Sequence, residues 1–183
     1  MFIGPMFSGK TTSLLMEITR KNDIGYRTCI ISHSYDTRDN AVGNLTTHKN
    51  YRGILSDSIL QLSTDELSRV ESDINDYQVI GIDEAHFFPD LEKVIQWVSL
   101  GKQVYIAGLS SNYLGENFGK IYLLIPHADR LTKLTSSCMV CLKEKQMIER
   151  PAIYTQRIVL DKSEKLIGGV DMYQSVCREH FWK

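Results

Sequence analysis

The sequence GPMFSGKT at residues 4–11 constrains the fold more than any other stretch of this chain. It matches the pattern G-x-x-x-x-G-K-[ST], whose glycines let successive backbone N–H groups converge on the phosphates of a nucleotide. In this pattern Lys10 reaches the β- and γ-phosphate oxygens, and the Thr11 hydroxyl ligates Mg²⁺. The apolar run MFI leads into the loop, and an amphipathic helical pattern follows it from Thr12 to Asp23. This order of strand, loop and helix predicts a P-loop nucleotide-binding fold.

Segments with strand and helix patterns alternate through the first part of the chain. Apolar, β-branched runs joined by short connections to helical patterns are typical of a parallel sheet with helices on its faces. Gly25 suits the end of the first helix, and the polar, turn-rich residues 34–53 indicate a long loop of the kind that often carries function. We predict an α/β fold with strands at residues 1–3, 27–33, 77–83 and 102–109, and helices at 12–23, from 63–67 onward and at 91–100.

A second motif, IGIDEAHFFPD at residues 80–90, places two carboxylates at the end of an apolar strand. Asp83 is suited to hold a hydrated Mg²⁺. Glu84, one residue on, is suited to accept the proton of a hydroxyl or of water, and the residues alone leave both acceptors open. The letters Asp-Glu-Ala-His are also the signature of a helicase group. Such helicases need two recombinase-like lobes of more than about a hundred residues each, which 183 residues cannot hold.

Composition and charge exclude several other classes of protein. Lys and Arg together number 21 against 22 Asp and Glu, a formal net charge of −1. This balance argues against a surface devoted to nucleic acid, which needs clustered positive charge. With 43% hydrophobic residues the chain can bury a core without disulfides. Because the sequence has no apolar run that spans a bilayer and no secretory signal pattern, we expect a cytoplasmic globular protein with no membrane partner.

Two short motifs of cysteine and histidine in the last quarter of the chain predict a metal site. The pairs Cys138-x-x-Cys141 and Cys177-x-x-His180 have the spacing of a closed, structural zinc site, with a hairpin and a loop between them. Unrelated buried thiols are the alternative, and a disulfide is disfavoured in a reducing compartment. Cys29, inside an apolar strand, is expected to be a core residue. A unit this small needs the metal as a staple.

Taken in order and with their spacing, the motifs of this chain resemble those of the type II thymidine kinases. The resemblance covers essentially the whole chain. It implies a recombinase-like P-loop α/β domain at residues 1–134 and a zinc-binding lasso domain at residues 135–183. It also implies a homotetramer. The motifs that carry it are GPMFSGKTT, DTR at 36–38, IGIDEAHFFPD, AGL at 107–109, KLTSSCMVC and IGGVDMYQSVC.

The resemblance implies an ATP-dependent deoxynucleoside kinase of pyrimidine salvage that converts thymidine to the 5′-monophosphate, with deoxyuridine as a second candidate acceptor. Glu84 would be the general base on the 5′-hydroxyl, and Arg38 would offset charge that develops on the phosphates. ATP, Mg²⁺ and structural Zn²⁺ are the expected cofactors. The nucleotide-binding residues implied are Gly4, Ser8, Gly9, Lys10, Thr11, Thr12, Asp36, Arg38, Asp83 and His86. A polynucleotide-stimulated ATPase with a zinc ribbon is the alternative.

A pocket for the nucleoside follows from the same resemblance. Phe87, Tyr113 and Phe118 match the aromatic wall around the base, since aromatic faces favour a planar pyrimidine. A snug pocket gains only about 1–3 kcal/mol per methyl group, so hydrogen bonds from the lasso backbone must reject cytosine. The residues matching the pocket around the thymine methyl are Met6, Leu109, Thr155 and Tyr173, and those matching the lasso backbone are Glu164, Lys165, Leu166, Ile167 and Gly168.

Four positions depart from the pattern of the family that the chain resembles. Ser110 stands where Asp is usual, and Asn117 precedes Phe118 where Pro-Phe is common. His86 stands where Gln is frequent, and its charge would vary near neutral pH. His180 replaces a cysteine of some relatives, which keeps the site competent for zinc.

Overall fold

Six parallel strands form the central sheet of the computed structural model, which describes residues 1–34, 55–144, 150–161 and 168–183. They lie in the order β3-β2-β4-β5-β1-β6, and each neighbouring pair is parallel. This confirms the predicted α/β fold with a parallel sheet. The strands are β1 (Phe2–Gly4), β2 (Thr28–His33), β3 (Leu60–Thr64), β4 (Val79–Ile82), β5 (Gln103–Leu109) and β6 (Thr132–Lys133).

Helices cover both faces of this sheet. Helix α1 (Lys10–Asp23) buries Leu14, Leu15 and Ile18 against the inner strands on one face, as its amphipathic pattern predicts. On the other face, Val94 and Trp97 of helix α2 (Lys93–Ser99) pack into a larger core. Three 3₁₀ helices complete this layer: Leu67–Val70, Ala85–Phe87 and Ile121–His127.

Two further predictions from the sequence, for Cys29 and for Gly25, are confirmed. Cys29 is fully buried in the apolar cluster of the second face, as expected for a core residue. Gly25 follows α1 with a left-handed backbone, φ +94°, which ends the helix. No helix within the four described ranges is long and apolar enough to cross a bilayer.

The prediction of a helix that begins within residues 63–67 is wrong. Strand β3 runs through Ser63 to Thr64, and only a 3₁₀ helix, Leu67–Val70, follows. The Thr64 hydroxyl donates to the carbonyl of Glu66 at 2.8 Å and so shapes a turn. The first two amides of the 3₁₀ helix are instead capped by the carboxylate of Asp90, at 3.0 and 2.8 Å. A cap supplied by a residue this distant in sequence leaves no local signal.

The C-terminal part of the chain consists of short elements around a small core. Strands β7 (Ser136–Ser137) and β8 (Pro151–Ala152) pair antiparallel, as do β9 (Tyr154–Arg157) and β10 (Tyr173–Val176). Helices α3 (Met139–Lys143) and α4 (Arg178–Phe181) flank them. The predicted loop at 34–53 lies outside the described residues beyond Ser34.

The loop after β5 is tied to the 3₁₀ helix Ala85–Phe87 at a point where only glycine fits. Gly119 has φ +58°, and a Cβ atom there would overlap the backbone carbonyl of His86. Gly101 also has a positive φ, +87°, but a Cβ atom there would meet nothing within 4 Å.

We therefore expect Gly119→Ala to destabilise the protein more than Gly101→Ala. Both substitutions force a non-glycine residue into the left-handed region, which costs about 1–2 kcal/mol. Gly119→Ala adds steric overlap of about 1–3 kcal/mol. Urea unfolding of the two variants measures the difference. Equal free energies of unfolding would contradict the close approach of residue 119 to His86.

Candidate active site

The phosphate loop and the acidic motif meet at the carboxyl edge of the central sheet. The loop leaves β1, and Asp83 directly follows β4. In the sheet these two strands lie on either side of β5. The Thr11 hydroxyl donates to Oδ1 of Asp83 at 3.1 Å. Residues that are 72 positions apart in sequence are thus joined by one hydrogen bond, at the edge where open α/β sheets bind ligands.

The phosphate loop has the backbone shape that anion binding requires. Gly9 adopts the left-handed conformation (φ 79°, ψ 21°) directly before α1, whose first amides face the loop. The Ser8 hydroxyl donates to the Pro5 carbonyl at 2.9 Å. Nζ of Lys10 is buried and donates to the same carbonyl at 2.6 Å, which folds the side chain across the loop. The free amides of the first turn of α1 and the buried ammonium group of Lys10 therefore lie at the same end of the helix.

Asp83 is a buried carboxylate in an environment that disfavours its charge. Burial, followed by the neighbouring carboxylate of Glu84, raises the pKa of Asp83 to about 7. The Thr11 hydroxyl, the Glu84 amide and the Lys10 ammonium group act in the opposite direction. The Glu84 amide donates to Oδ1 at 2.9 Å. A buried carboxylate beside a threonine hydroxyl fits Mg²⁺, which prefers such oxygen donors and would restore the ionised form.

Glu84 is held in a conformation that few residues adopt. Its backbone is left-handed (φ 48°, ψ 40°) and opens the 3₁₀ helix Ala85–Phe87. Such strain costs of order 1–3 kcal/mol and is concentrated at functional sites. The Glu84 side chain is 16% exposed, and its Oε2 lies 3.6 Å from Nε2 of His86. A carboxylate that is mostly enclosed but still reachable is suited to accept a proton from a bound molecule.

Aromatic side chains form a wall next to these acids. The rings of Phe87 and Phe118 meet edge to face, with centroids 5.7 Å apart. The buried ring of His86 packs against both, at 4.2 and 4.7 Å. The Leu109 amide, at the end of β5, donates to Nδ1 of His86 at 3.1 Å. The structure thus groups three residues of the predicted base pocket around His86, which the resemblance had placed with the nucleotide.

A second group of predicted pocket residues joins the phosphate loop to the C-terminal hairpin. The Met6 amide donates to the hydroxyl of Thr155 at 2.9 Å, and both residues are buried. Arg157, two residues further along β9, stacks its guanidinium group on Tyr113 at 3.8 Å and donates to the hydroxyl of Tyr173 at 2.9 Å. These contacts bring the predicted residues of this pocket wall together.

Three residues near the candidate site, which are Arg157, His33 and Thr64, were not predicted from the sequence. Arg157 occupies the same face of β9 as Thr155, so the period of two along the strand was the available signal. His33 and Thr64 are buried at the ends of β2 and β3, beside the aromatic wall. The structure says nothing of the predicted site residues outside its described ranges, namely Asp36, Arg38, Glu164, Lys165, Leu166 and Ile167.

The remaining predicted residues lie at the edges of these groups. Gly4 ends β1, and its carbonyl accepts from the Ser110 amide at 3.2 Å. Thr12 is in the first turn of α1 and is half-buried. Gly168 is half-buried at the point where the described part of the chain resumes, close to Met172.

The four predicted metal ligands converge and fit a zinc ion. Their donor atoms all lie within 4.8 Å of one another, and all four residues are buried. Nδ1 of His180 is 3.4, 3.5 and 3.4 Å from the sulfurs of Cys138, Cys141 and Cys177, respectively. Tetrahedral zinc with bonds of about 2.0–2.3 Å separates its ligands by roughly this distance. The cysteines form no disulfide, and Nε2 of His180 lies 3.4 Å from the carboxylate of Glu144.

Comparisons with known proteins decide the family. A sequence model of the thymidine kinase family matches residues 1–181. The chain belongs to the thymidine kinase family. This confirms the predicted resemblance and the predicted enzyme class, since members of the family are ATP-dependent nucleoside kinases and hence transferases.

Relatives in the thymidine kinase family are similar over nearly the whole chain. A Sheeppox virus protein named "Thymidine kinase" is 35% identical over 184 residues, which cover 100% of this chain and 95% of the relative. A Variola virus protein of the same name is 37% identical over 180 residues, 98% of this chain and 93% of the relative. "Thymidine kinase, cytosolic" of Bos taurus is 36% identical over 183 residues, 99% of this chain and 70% of the relative.

The raised pKa of Asp83 predicts how stability depends on pH. The folded protein holds the Asp83 proton more tightly than the unfolded chain, so this stabilisation is full below about pH 4 and is lost by about pH 7. Asp83→Asn keeps the side-chain acceptor but removes the charge. Without Mg²⁺ or nucleotide, we expect the variant to be more stable than the unmodified protein at pH 8, by roughly 1–4 kcal/mol.

Urea unfolding between pH 5 and 8 measures this difference, which should widen up to about pH 7 and then level off. Asp73→Asn, the same substitution at an exposed position, supplies the control. A constant difference between Asp83→Asn and the unmodified protein over this range would contradict the assigned burial of the charge.

The ligand cluster predicts a zinc content that depends on the cysteines of the cluster and not on Cys29. We expect purified protein to contain about one zinc ion per chain and Cys141→Ser to lose most of it, because three ligands do not close a structural site. Cys29→Ala, which changes a core thiol outside the cluster, should keep the metal. Elemental analysis after gel filtration measures both. Equal zinc contents in the two variants would exclude the cluster as the site.

Proposed function

We propose that this chain is a thymidine kinase that transfers the γ-phosphoryl group of ATP to the 5′-hydroxyl of thymidine. The hydrogen bond of 3.1 Å between Thr11 and Asp83 carries the proposal, because it places the phosphate loop and the acidic motif at one site. The thymidine kinase family match over residues 1–181 supports the choice of acceptor. The comparisons give no support to the alternative of a polynucleotide-stimulated ATPase.

In this proposal the phosphate loop and the first turn of α1 bind ATP. Backbone amides of the loop hold the phosphate oxygens, and Lys10 offsets their charge. Thr11 and Asp83 would hold Mg²⁺, which when bound neutralises charge on the transferring phosphoryl group. Asp36 and Arg38 are proposed to reach the same phosphates. Phosphoryl transfer depends on in-line positioning and charge neutralisation, so a preorganised loop provides most of what the reaction needs.

Glu84 is proposed as the general base. Its carboxylate is within reach of solvent and next to Asp83, so it can accept the proton of the 5′-hydroxyl as that oxygen attacks phosphorus. The pKa of the neighbouring Asp83 is raised mainly by burial, and the Glu84 carboxylate is less deeply buried. A base at this place contributes typically about 10²–10⁴-fold to the rate.

The nucleoside is proposed to lie between the two groups of pocket residues. Phe87 and Phe118 supply aromatic faces for the base, and Tyr113 and Tyr173 close the opposite side through Arg157. Met6, Leu109 and Thr155 surround the methyl group, and the backbone of residues 164–168 recognises the base edge. Deoxyuridine, which lacks only the methyl group, should be a weaker acceptor.

The C-terminal lobe is proposed as a separate zinc-held domain. We place the boundary between residues 134 and 135, with the P-loop α/β domain before it and the lasso domain after it. The lobe's own core is a few residues around the cysteine cluster, so the metal supplies stability that burial alone does not. A homotetramer in the cytoplasm completes the proposal, by analogy with the thymidine kinase family.

A coupled assay of ADP release tests the proposal. Zinc-loaded protein should release ADP from MgATP only when a pyrimidine deoxynucleoside is added, with thymidine the best acceptor of a nucleoside panel. Addition of a polynucleotide should change nothing. ADP release that needs no nucleoside, or that rises with polynucleotide, would overturn the assigned acceptor.

Within this assay, Glu84→Gln should lower kcat by about 10²–10⁴-fold, because the amide cannot accept the proton. ATP binding, followed by fluorescence titration, should be retained. Glu71→Gln removes an exposed carboxylate paired with Lys93 and serves as the control with normal turnover. A kcat for Glu84→Gln within a few fold of the unmodified enzyme would show that another group, or no group, takes the proton.

A further inference from the structure

We propose that His86 is a positioning residue that orients the carboxylate of Glu84 for proton transfer. This inference rests on the proposed role of Glu84 as the base. It assigns His86 a place behind the base, in the wall of the site, and differs from the direct contact with the nucleotide that the resemblance implies.

The hydrogen bond from Leu109 determines which nitrogen of His86 carries the proton. The Leu109 amide is a donor only, and it approaches Nδ1 at 3.1 Å. Nδ1 must therefore be an unprotonated acceptor, which places the proton of the neutral ring on Nε2. Leu109 is the last residue of β5, and it pairs with Gly4 of β1 in the central sheet. The ring is thereby fixed to the end of a strand inside the central sheet.

Packing holds the ring in this orientation. The His86 side chain is 1% exposed, and its ring lies against Phe87 and Phe118 with centroids 4.2 and 4.7 Å away. The backbone carbonyl of His86 is covered by Gly119, where no Cβ atom would fit. A ring enclosed on this many sides has little freedom to turn toward a phosphate group.

The protonated nitrogen faces the base. Nε2 of His86 lies 3.6 Å from Oε2 of Glu84. This separation is longer than a hydrogen bond, and bonds of this kind commonly tighten when substrate binds. An N–H directed at one carboxylate oxygen fixes the carboxylate plane and leaves the other oxygen for the 5′-hydroxyl proton. The backbone of Glu84 is strained, so a hydrogen bond from His86 would help to hold its carboxylate in one orientation.

Glutamine and asparagine each reproduce only one of the two contacts made by the His86 ring. The terminal amide nitrogen of glutamine reaches about as far from the backbone as Nε2 of histidine, and it also donates. Asparagine is one carbon shorter, so its carbonyl oxygen matches Nδ1 and nothing replaces Nε2–H. His86→Asn therefore keeps an acceptor for the Leu109 amide and loses the contact with Glu84, whereas His86→Gln keeps the contact with Glu84 and loses that acceptor.

The experiment compares His86→Gln with His86→Asn in steady-state kinetics and thermal unfolding. We expect His86→Gln to keep kcat within a few fold, and His86→Asn to lower kcat by about 10–100-fold, the effect of a misplaced reacting group. KM for thymidine and for MgATP should change by no more than about twofold in both variants. His127→Asn, at an exposed histidine far from the edge, is the control and should be unchanged.

Equal kcat for His86→Gln and His86→Asn, with similar unfolding temperatures, would overturn the proposal. So would a loss in His86→Asn that falls on KM for MgATP, which would indicate direct nucleotide contact. If His86→Asn does not fold, His86→Gln still decides, because a folded variant with kcat reduced more than about tenfold contradicts the donor role.

A double-mutant cycle separates this inference from the proposed base. Adding His86→Asn to Glu84→Gln should lower the residual kcat no further, since the residue that His86 orients is already disabled. Full additivity would overturn the positioning role while leaving the base intact. Normal turnover in Glu84→Gln alone would instead remove the proposed base.

Discussion

The hydrogen bond between the Thr11 hydroxyl and the Asp83 carboxylate is the contact on which the rest of the site depends. It exists because the parallel sheet brings the ends of β1 and β4 to one edge, with β5 between them. Helix α1 then presents its amides and Lys10 to the same place. Each motif alone is common among nucleotide-binding proteins. Their meeting across a single strand supports the proposal that they form one phosphate-transfer site.

The two adjacent acids, Asp83 and Glu84, differ in how deeply they are buried. Asp83 is almost fully enclosed, and the pKa raised by that burial favours either a proton or a cation. Glu84 turns outward on a left-handed backbone and stays reachable. Two carboxylates next to each other in sequence thus differ in burial, and the different roles proposed for them rest on that difference. His86, anchored to the end of β5, extends this arrangement by one further residue into the protein.

The elements that carry local signals were predictable from the sequence. The phosphate loop, α1 with its buried leucines, and the apolar strands β2, β4 and β5 follow from glycine spacing and from periodicity. The cluster of three cysteines and one histidine was predictable because two short motifs contain all four residues. Strand β3 was missed, and a helix was expected in part of its place, because the deciding residues lie elsewhere in the sequence. Strand β2 pairs with β3, and Asp90 caps the 3₁₀ helix Leu67–Val70.

Side-chain partnerships across the sheet edge were likewise beyond sequence patterns. Nothing local to Arg157 says that its guanidinium group will stack on Tyr113 and bond to Tyr173. Nor does the motif around His86 reveal that Leu109 fixes its tautomer. Such contacts depend on how separate elements approach one another, and only coordinates supply that.

The hydrogen bond from the Met6 amide to the Thr155 hydroxyl joins the phosphate loop to the hairpin of β9 and β10, which leads into the cluster of cysteines and histidine. The positions of the loop and of the hairpin are therefore not independent. With the proposed sites occupied as assigned, a nucleotide that moved the loop and a metal that moved the hairpin would both act on this one bond, so each ligand would affect the binding of the other without touching it.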